Sequence, residues 1–450
     1  MGVYFILGGI KLRNVVKKKV ISIVAVSTLA LGTLIGVNLP SSNAEAHSDH
    51  NNGKVKNVIF MIPDGYSASY ATNYRWFKGE ESIMDSMLVG MHRTYSANSE
   101  VTDSAAAGTA MATGIKTNNG MISTSPKGKK LKTILEAAED AGKSSGLVAT
   151  STITHATPAV FASHVASRAD EADIAPQLLE NGVDVILGGG KKYFPDTLIN
   201  KAKKSGYDYV SDRNDLLNIS KTDKLIGLFS EDGMAPELDR DMTTQPSLAE
   251  MTEAALNVLK KDKDGFFLMV EGSQIDWAGH DHDAAWAMKD SQAFEEALER
   301  ALDFAKKDKK TLILIAGDHD TGGMSVGGYG EYDAKVEVLR NVTATGDYMV
   351  GQLNAERSNV KEVVKEFTGL DLTNEEIEKI QSASNPDIAI NEIVSERALV
   401  GWTSTQHTGV DIPLYAFGPG SDLFRGLHDN TDLPVLLAQA MKIKFSKTQK

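Results

Sequence analysis

The 450-residue sequence contains no cysteine. Its absence excludes disulfides, thiolate metal sites, a cysteine nucleophile and a lipid-bearing cysteine. Any metal ion must therefore be held by His, Asp, Glu or hydroxyl oxygen. Positive charge is also in short supply: 47 Lys and Arg face 60 Asp and Glu, for a formal net charge of -13. Five of the basic residues (Lys11, Arg13, Lys17, Lys18, Lys19) fall in the first 46 positions, leaving 42 basic against 59 acidic residues beyond them. Such a chain has no electrostatic footprint for nucleic acid, and no nucleic acid partner is expected. There is no internal repeat, no low-complexity tract and no Gly-x-Ser-x-Gly elbow around Ser104.

Only one apolar run approaches membrane length, Val20 to Leu39. It follows the basic cluster Lys17-Lys18-Lys19 and precedes Asn43-Ala44-Glu45-Ala46, whose Ala-x-Ala ending suits signal peptidase. Residues 1–46 are therefore expected to be an export signal, with an uncleaved anchor as the alternative. The mature chain is expected to be secreted or held at the cell surface or in a periplasm-equivalent space, with no stable membrane span. The composition, 42% hydrophobic and 24% charged, is that of a soluble globular protein. Residues 47–450 are expected to form a single catalytic domain.

Short continuous apolar runs appear at Val55 to Ile62, Ser145 to Thr150, Val183 to Leu187, Phe266 to Val270, Leu312 to Ala316 and Pro413 to Phe417. Runs of this length fit strands buried on both faces. Helical spacing occupies Leu131 to Ala141, Ser247 to Leu259 and Ala284 to Lys306. The alternation predicts an α/β fold: a doubly wound, mostly parallel central sheet with helices on both faces. Residues 331–400 differ. They are polar, with a capping box at Thr373-Asn374-Glu375-Glu376, and predict a mostly helical insertion rimming the site.

Three of the runs end in acid. They deliver Asp64, Glu271 and Asp318, the last followed by His319 and Asp320. Ligand sites in such sheets lie beyond the carboxyl ends of the strands, so these acids should converge. A lone strand-end Asp is more often a cap or turn residue. Asp276 and His280 are four apart and share a face on a helical turn, a spacing that can chelate one metal ion. Asp281, His282 and Asp283 continue the polar run and are expected to solvate the site's edge. His407, in Gln406-His407-Thr408-Gly409, supplies one further imidazole.

Asp103-Ser104 opens the small-residue run Ala105 to Ala112, a helix expected to close at Gly114. Ser104 would sit at its N-terminus, where free amides and the positive dipole end favour an alkoxide and a phosphate. Taken alone, Ser104 is more simply an N-cap. As a nucleophile it needs an activator, and a metal ion is the route the neighbouring ligands offer. Arg168 can grip two phosphate oxygens at once, although an arginine there is ordinarily a surface charge.

Taken in order, Asp64-Gly65, Thr102-Asp103-Ser104-Ala105, Thr157-Pro158 with Arg168, Val270-Glu271-Gly272 with Asp276 and His280, Asp318-His319, and Gln406-His407-Thr408-Gly409 resemble the alkaline phosphatase family, from about Val55 to Pro419. The resemblance implies hydrolysis of phosphate monoesters to an alcohol and inorganic phosphate through a phosphoserine on Ser104, with a broad substrate range. It implies two zinc ions, one on Asp276, His280 and His407 and one on Asp64, Asp318 and His319, and one magnesium ion on Asp64, Glu271 and Thr157. Arg168 would clamp the phosphate, and small phosphate monoesters would be the partners. A homodimer is expected because the family often forms one. Two positions depart from some family members. His155 stands where they carry Asp, and Trp277 where they carry Lys, both near the third metal and the phosphate. The neighbouring alternative is a phosphodiesterase, sulfatase or phosphomutase on the same frame. The remote one is a secreted protein that binds phosphate or metal without turnover.

Overall fold

The computed structural model describes residues 55–219 and 221–447, so the predicted export signal lies outside the described residues. Among the described residues are twelve strands: β1 (Asn57–Pro63), β2 (Leu88–Arg93), β3 (Ser144–Thr152), β4 (Val185–Gly189), β5 (Asp208–Val210), β6 (Leu225–Leu228), β7 (Phe266–Gly272), β8 (Thr311–Ala316), β9 (Asp320–Thr321), β10 (His407–Thr408), β11 (Ile412–Phe417) and β12 (Gly426–Asp429). Ten form one sheet in the order β12-β2-β11-β8-β1-β7-β3-β4-β6-β5, and β9 and β10 pair separately. All neighbours from β8 to β5 are parallel, and only β11 runs against its neighbours β8 and β2.

The central strands are buried along their whole length, as continuous apolar runs require. Side chains alternate across the sheet, and β1 shows the consequence. Ile59 and Met61 join one core with the Leu248–Leu259 and Ala284–Asp308 helices. Val58, Phe60 and Ile62 join the other with the Ile134–Asp140, Ala156–Ala162 and Leu433–Met441 helices. This is the predicted doubly wound arrangement.

Local chemistry sets the helix bounds. The predicted Leu131 start moves to Ile134 because Thr133 forms a capping box with Glu136. Ser247 caps its helix in the same way with Glu250. The 331–400 insertion is helical: Gly346–Gly351, Val360–Thr368, Asn374–Ser382 and Pro386–Ala398 all fall within it. Its capping box at Thr373 and Glu376 is present. The insertion lies between β9 and β10, so the ladder that joins them closes it at its base.

Candidate active site

Strand register gathers the acids. Met61 of β1 stands opposite Ile315 of β8, and Asp64 and Asp318 each lie three residues further on. Ile62 stands opposite Glu271 of β7. β1 stops at Pro63, which has no amide to donate, and the chain turns through Gly65 with φ +72°. A Cβ at Gly65 would lie 2.9 Å from the Asp276 Cα, so only glycine allows the Asp276 backbone this close.

Asp64, Asp318 and His319 form one fully buried group. His319 Nε2 is 3.5 Å from Asp64 Oδ1 and 3.3 Å from Asp318 Oδ2. The amides of Gly65 and His319 donate to Asp318 Oδ1 at 3.2 and 3.1 Å. Asp64 Oδ1, Asp318 Oδ2 and Glu271 Oε1 are buried without a hydrogen-bond partner. Burial pushes Asp64 well above the usual carboxylate range, with the charges of Asp318, Asp276 and Glu271 adding to it. Burial likewise pushes Asp318 up to about 6 and Glu271 up to about 7. Carboxylates packed this way are costly to ionise unless cations join them.

Asp276, His280 and His407 form a second group. Asp276 and His280 share a face of the Gln274–His280 helix, as their spacing predicts. His407 arrives through the β9–β10 ladder, where it stands opposite Thr321. Both imidazoles have their tautomers fixed: His280 Nδ1 donates to the Thr405 carbonyl at 2.7 Å, and His407 Nδ1 to the Thr102 carbonyl at 2.8 Å. When neutral, both rings then present bare Nε2 lone pairs to each other, only 3.2 Å apart, and each is 3.5 Å from Asp276 Oδ1. Such a juxtaposition needs a cation, either a proton or a metal ion. Burial opposes protonation of His280, but Asp276 outweighs it and moves the ring up to about 9. Burial and the charge of His407 together hold His319 well below the usual histidine range, so its imidazole stays neutral.

A third group holds Asp64, Glu271 and His155. Thr157 is also there, donating to Asp64 Oδ2 at 3.3 Å. The side chain at 155 thus stands within the third group. Burial, with Arg168 nearby, lowers its pKa to about 3, leaving a neutral imidazole. Trp277 packs edge-on against that ring, with centroids 6.0 Å apart.

Ser104 is the first residue of the Ser104–Thr113 helix, and its hydroxyl lies 3.1 Å from His319 Nε2. The N-cap is Asp103, whose side chain accepts from the Ala106 amide. Capping therefore falls to the preceding residue, which leaves the Ser104 hydroxyl free to face the buried group that holds His319. Gly114 closes the helix in the left-handed conformation, as predicted. Arg168 donates to Asp103 Oδ2 at 3.1 Å and to His155 Nε2 at 2.9 Å. It is thus tethered beside the serine rather than free on the surface. Asp103 is the residue sequence reasoning passed over. Its signal was the Asp-Ser pair at a helix start, where Asp is among the best caps.

The turn after His280 corrects an expectation. His282 and Asp283 are buried rather than solvating the edge. Asp283 caps the Ala284–Asp308 helix through Trp286 and accepts from the Gly346 amide of the insertion at 3.2 Å.

The alkaline phosphatase family model matches residues 55–443. Alkaline phosphatase 3 of Bacillus subtilis is 42% identical over 96% of this chain and 99% of its own length. The repressible alkaline phosphatase of Saccharomyces cerevisiae is 32% identical over 97% of this chain and 90% of its own. Among solved structures, a cold-active alkaline phosphatase from a psychrophilic Shewanella superposes with a TM-score of 0.81 at 35% identity, covering 86% of this chain and 99% of the other. The Thermus thermophilus alkaline phosphatase gives 0.81 at 30% identity, covering 91% and 96%.

Proposed function

The chain belongs to the alkaline phosphatase family and is a metal-dependent phosphate monoesterase, and from that premise we propose that Ser104 is its nucleophile and carries the phosphoryl group between substrate and water. The observation that carries this reading is the Ser104 hydroxyl 3.1 Å from His319, at a helix N-terminus already capped by Asp103. In the first step the Ser104 hydroxyl gives up its proton to solvent and its oxygen bonds to phosphorus as the bond to the leaving alcohol oxygen breaks, and that oxygen takes one proton back from solvent. In the second, water displaces the serine, regenerating its hydroxyl and releasing inorganic phosphate. The helix dipole favours negative charge at Ser104 in both. Arg168, pre-aligned by Asp103, grips the equatorial phosphate oxygens.

Asp276, His280 and His407 would hold one zinc ion, and Asp64, Asp318 and His319 a second. Asp64, Glu271 and Thr157 would hold magnesium, with His155 beside them. The unpartnered carboxylate oxygens and the facing Nε2 atoms fit such ions. When bound, they would neutralise charge on the entering and leaving oxygens and lower the proton affinity of the serine. Recognition through Arg168 and the metal ligands reads the phosphate rather than the alcohol, which favours a broad substrate range. Export, read from residues 1–46, and assembly as a homodimer complete the proposal. No helix among the described residues is long and apolar enough to cross a membrane.

The test compares hydrolysis of a monoester and a diester of one phenol. Preference for the monoester is expected, together with loss of activity on chelation and its return with zinc and magnesium. Preference for the diester would overturn the reading.

A further inference from the structure

His282 follows the metal-binding pair Asp276 and His280, yet it faces away from the ligands. Its backbone is left-handed, with φ +53°, a conformation a β-carbon disfavours and that persists only when the surroundings hold it. Four contacts do so, one of them from its Nδ1 to Glu392 Oε1 of the insertion at 3.6 Å. The ring stacks on Trp402, with centroids 5.1 Å apart and planes 7° from parallel. Its Nε2 donates to the Ser404 carbonyl at 3.0 Å. Its own carbonyl accepts from Ser395 Oγ at 3.0 Å, and that hydroxyl in turn accepts from Trp402 Nε1 at 3.0 Å. Ser395 belongs to the Pro386–Ala398 helix of the insertion, and Asn391 of that helix also donates to the Asp281 carbonyl at 2.9 Å.

Ser404 and Trp402 lie in the segment that ends at His407. Two imidazole N–H groups, His280 Nδ1 to Thr405 and His282 Nε2 to Ser404, therefore dock that segment onto the turn after the Gln274–His280 helix. This matters because the two ligand groups are built differently. Asp64 and Asp318 sit at the ends of paired central strands and His319 adjoins one of them. His407 depends on a two-residue ladder, on its hydrogen bond to the Thr102 carbonyl and on this docking.

We propose that His282 is a positioning residue, and that through it the helical insertion braces the loop bearing His407 and sets metal affinity at the Asp276, His280 and His407 group alone. This rests on the assignment of that group as a metal site. His282 touches no reacting atom, so its effect is read in metal binding.

The test equilibrates the purified metal-loaded protein against graded chelator and measures retained zinc by mass spectrometry. The step belonging to the Asp276 group is identified as the one missing from His407→Ala. His282→Asn is the first variant, because Asn tolerates the left-handed backbone while losing the stack and the reach to Ser404. Ser395→Ala, which removes only the hydroxyl bridge, carries the test if the first variant does not fold. The expected result is that this step alone moves to about 10- to 100-fold weaker binding, as loss of an outer partner of a ligand does. Excess zinc should restore activity. If neither step moves, or both move together, the brace is refuted. If the parent holds zinc in no step that His407→Ala removes, the metal assignment falls and the brace with it.

Discussion

Asp103→Ala should loosen the nucleophile helix and the phosphate clamp in one substitution. One carboxylate oxygen accepts from the Ala106 amide at 3.0 Å, and the other from the Gly120 amide at 3.0 Å and from Arg168 at 3.1 Å. Loss of the cap costs about 1 kcal/mol of stability. The Arg168 pair is partly exposed, so its own contribution is about 0–1 kcal/mol. The larger effect is on ligand binding. Arg168, left with its His155 contact alone, must be ordered when phosphate arrives, at about 0.5–1.5 kcal/mol, which weakens phosphate about two- to tenfold. Steady-state kinetics with inorganic phosphate as competitive inhibitor measures that factor, and thermal melting measures the cap. Asp103→Asn separates the two, since its amide oxygen can still cap the helix while the carboxylate that pairs with Arg168 is lost. It should melt close to the parent and still raise the phosphate inhibition constant. If both variants bind phosphate as tightly as the parent, Asp103 does not orient a phosphate-gripping arginine.

Gly65→Ala should cost bound metal and stability together, because its Cβ would meet the Asp276 backbone at 2.9 Å in a left-handed conformation that alone costs about 1–3 kcal/mol; normal metal content and melting would contradict the close approach. His155→Asp should raise magnesium affinity at the third group, since a carboxylate suits a hard cation better than imidazole does. Magnesium titration of activity reads it, and unchanged dependence would place His155 outside that group. His92 is fully buried, and burial lowers its pKa to about 4. Below the ordinary histidine value of about 6.5 the unfolded chain takes up a proton that the folded chain refuses. Stability present above pH 6.5 is therefore lost as pH falls toward 4, by about 3 kcal/mol. Urea unfolding of His92→Gln at pH 7 and 4.5 should show a smaller loss than the parent, and equal losses would rule this out.

The fold and much of the site were legible because they rest on local pattern. Strands buried on both faces announce themselves as continuous apolar runs, and Asp64, Glu271 and Asp318 stand where those runs stop. The i, i+4 pair Asp276 and His280 needs only helical geometry. Other parts depend on tertiary structure. β2 and β12 lie together at one side of the sheet, with Leu88 and Leu427 exposed, so they lack the apolar continuity of β1 or β8. The β9–β10 ladder has two residues per strand, too short for any periodicity, yet it carries His407 to the site. His282 and Asp283 look solvent-bound in a polar run. They are buried because the distant insertion supplies Ser395 and Gly346 as partners.

The central claim is that Ser104 carries the phosphoryl group. Acid-quenching the enzyme during turnover of a phosphate monoester, followed by mass spectrometry of its peptides, tests this most directly. The expected result is one phosphoryl group on the Ser104 peptide, with Ser104→Ala giving no such adduct and almost no turnover while its bound metal stays at the parent level. Phosphorylation elsewhere, or near-normal turnover by Ser104→Ala, would contradict the account.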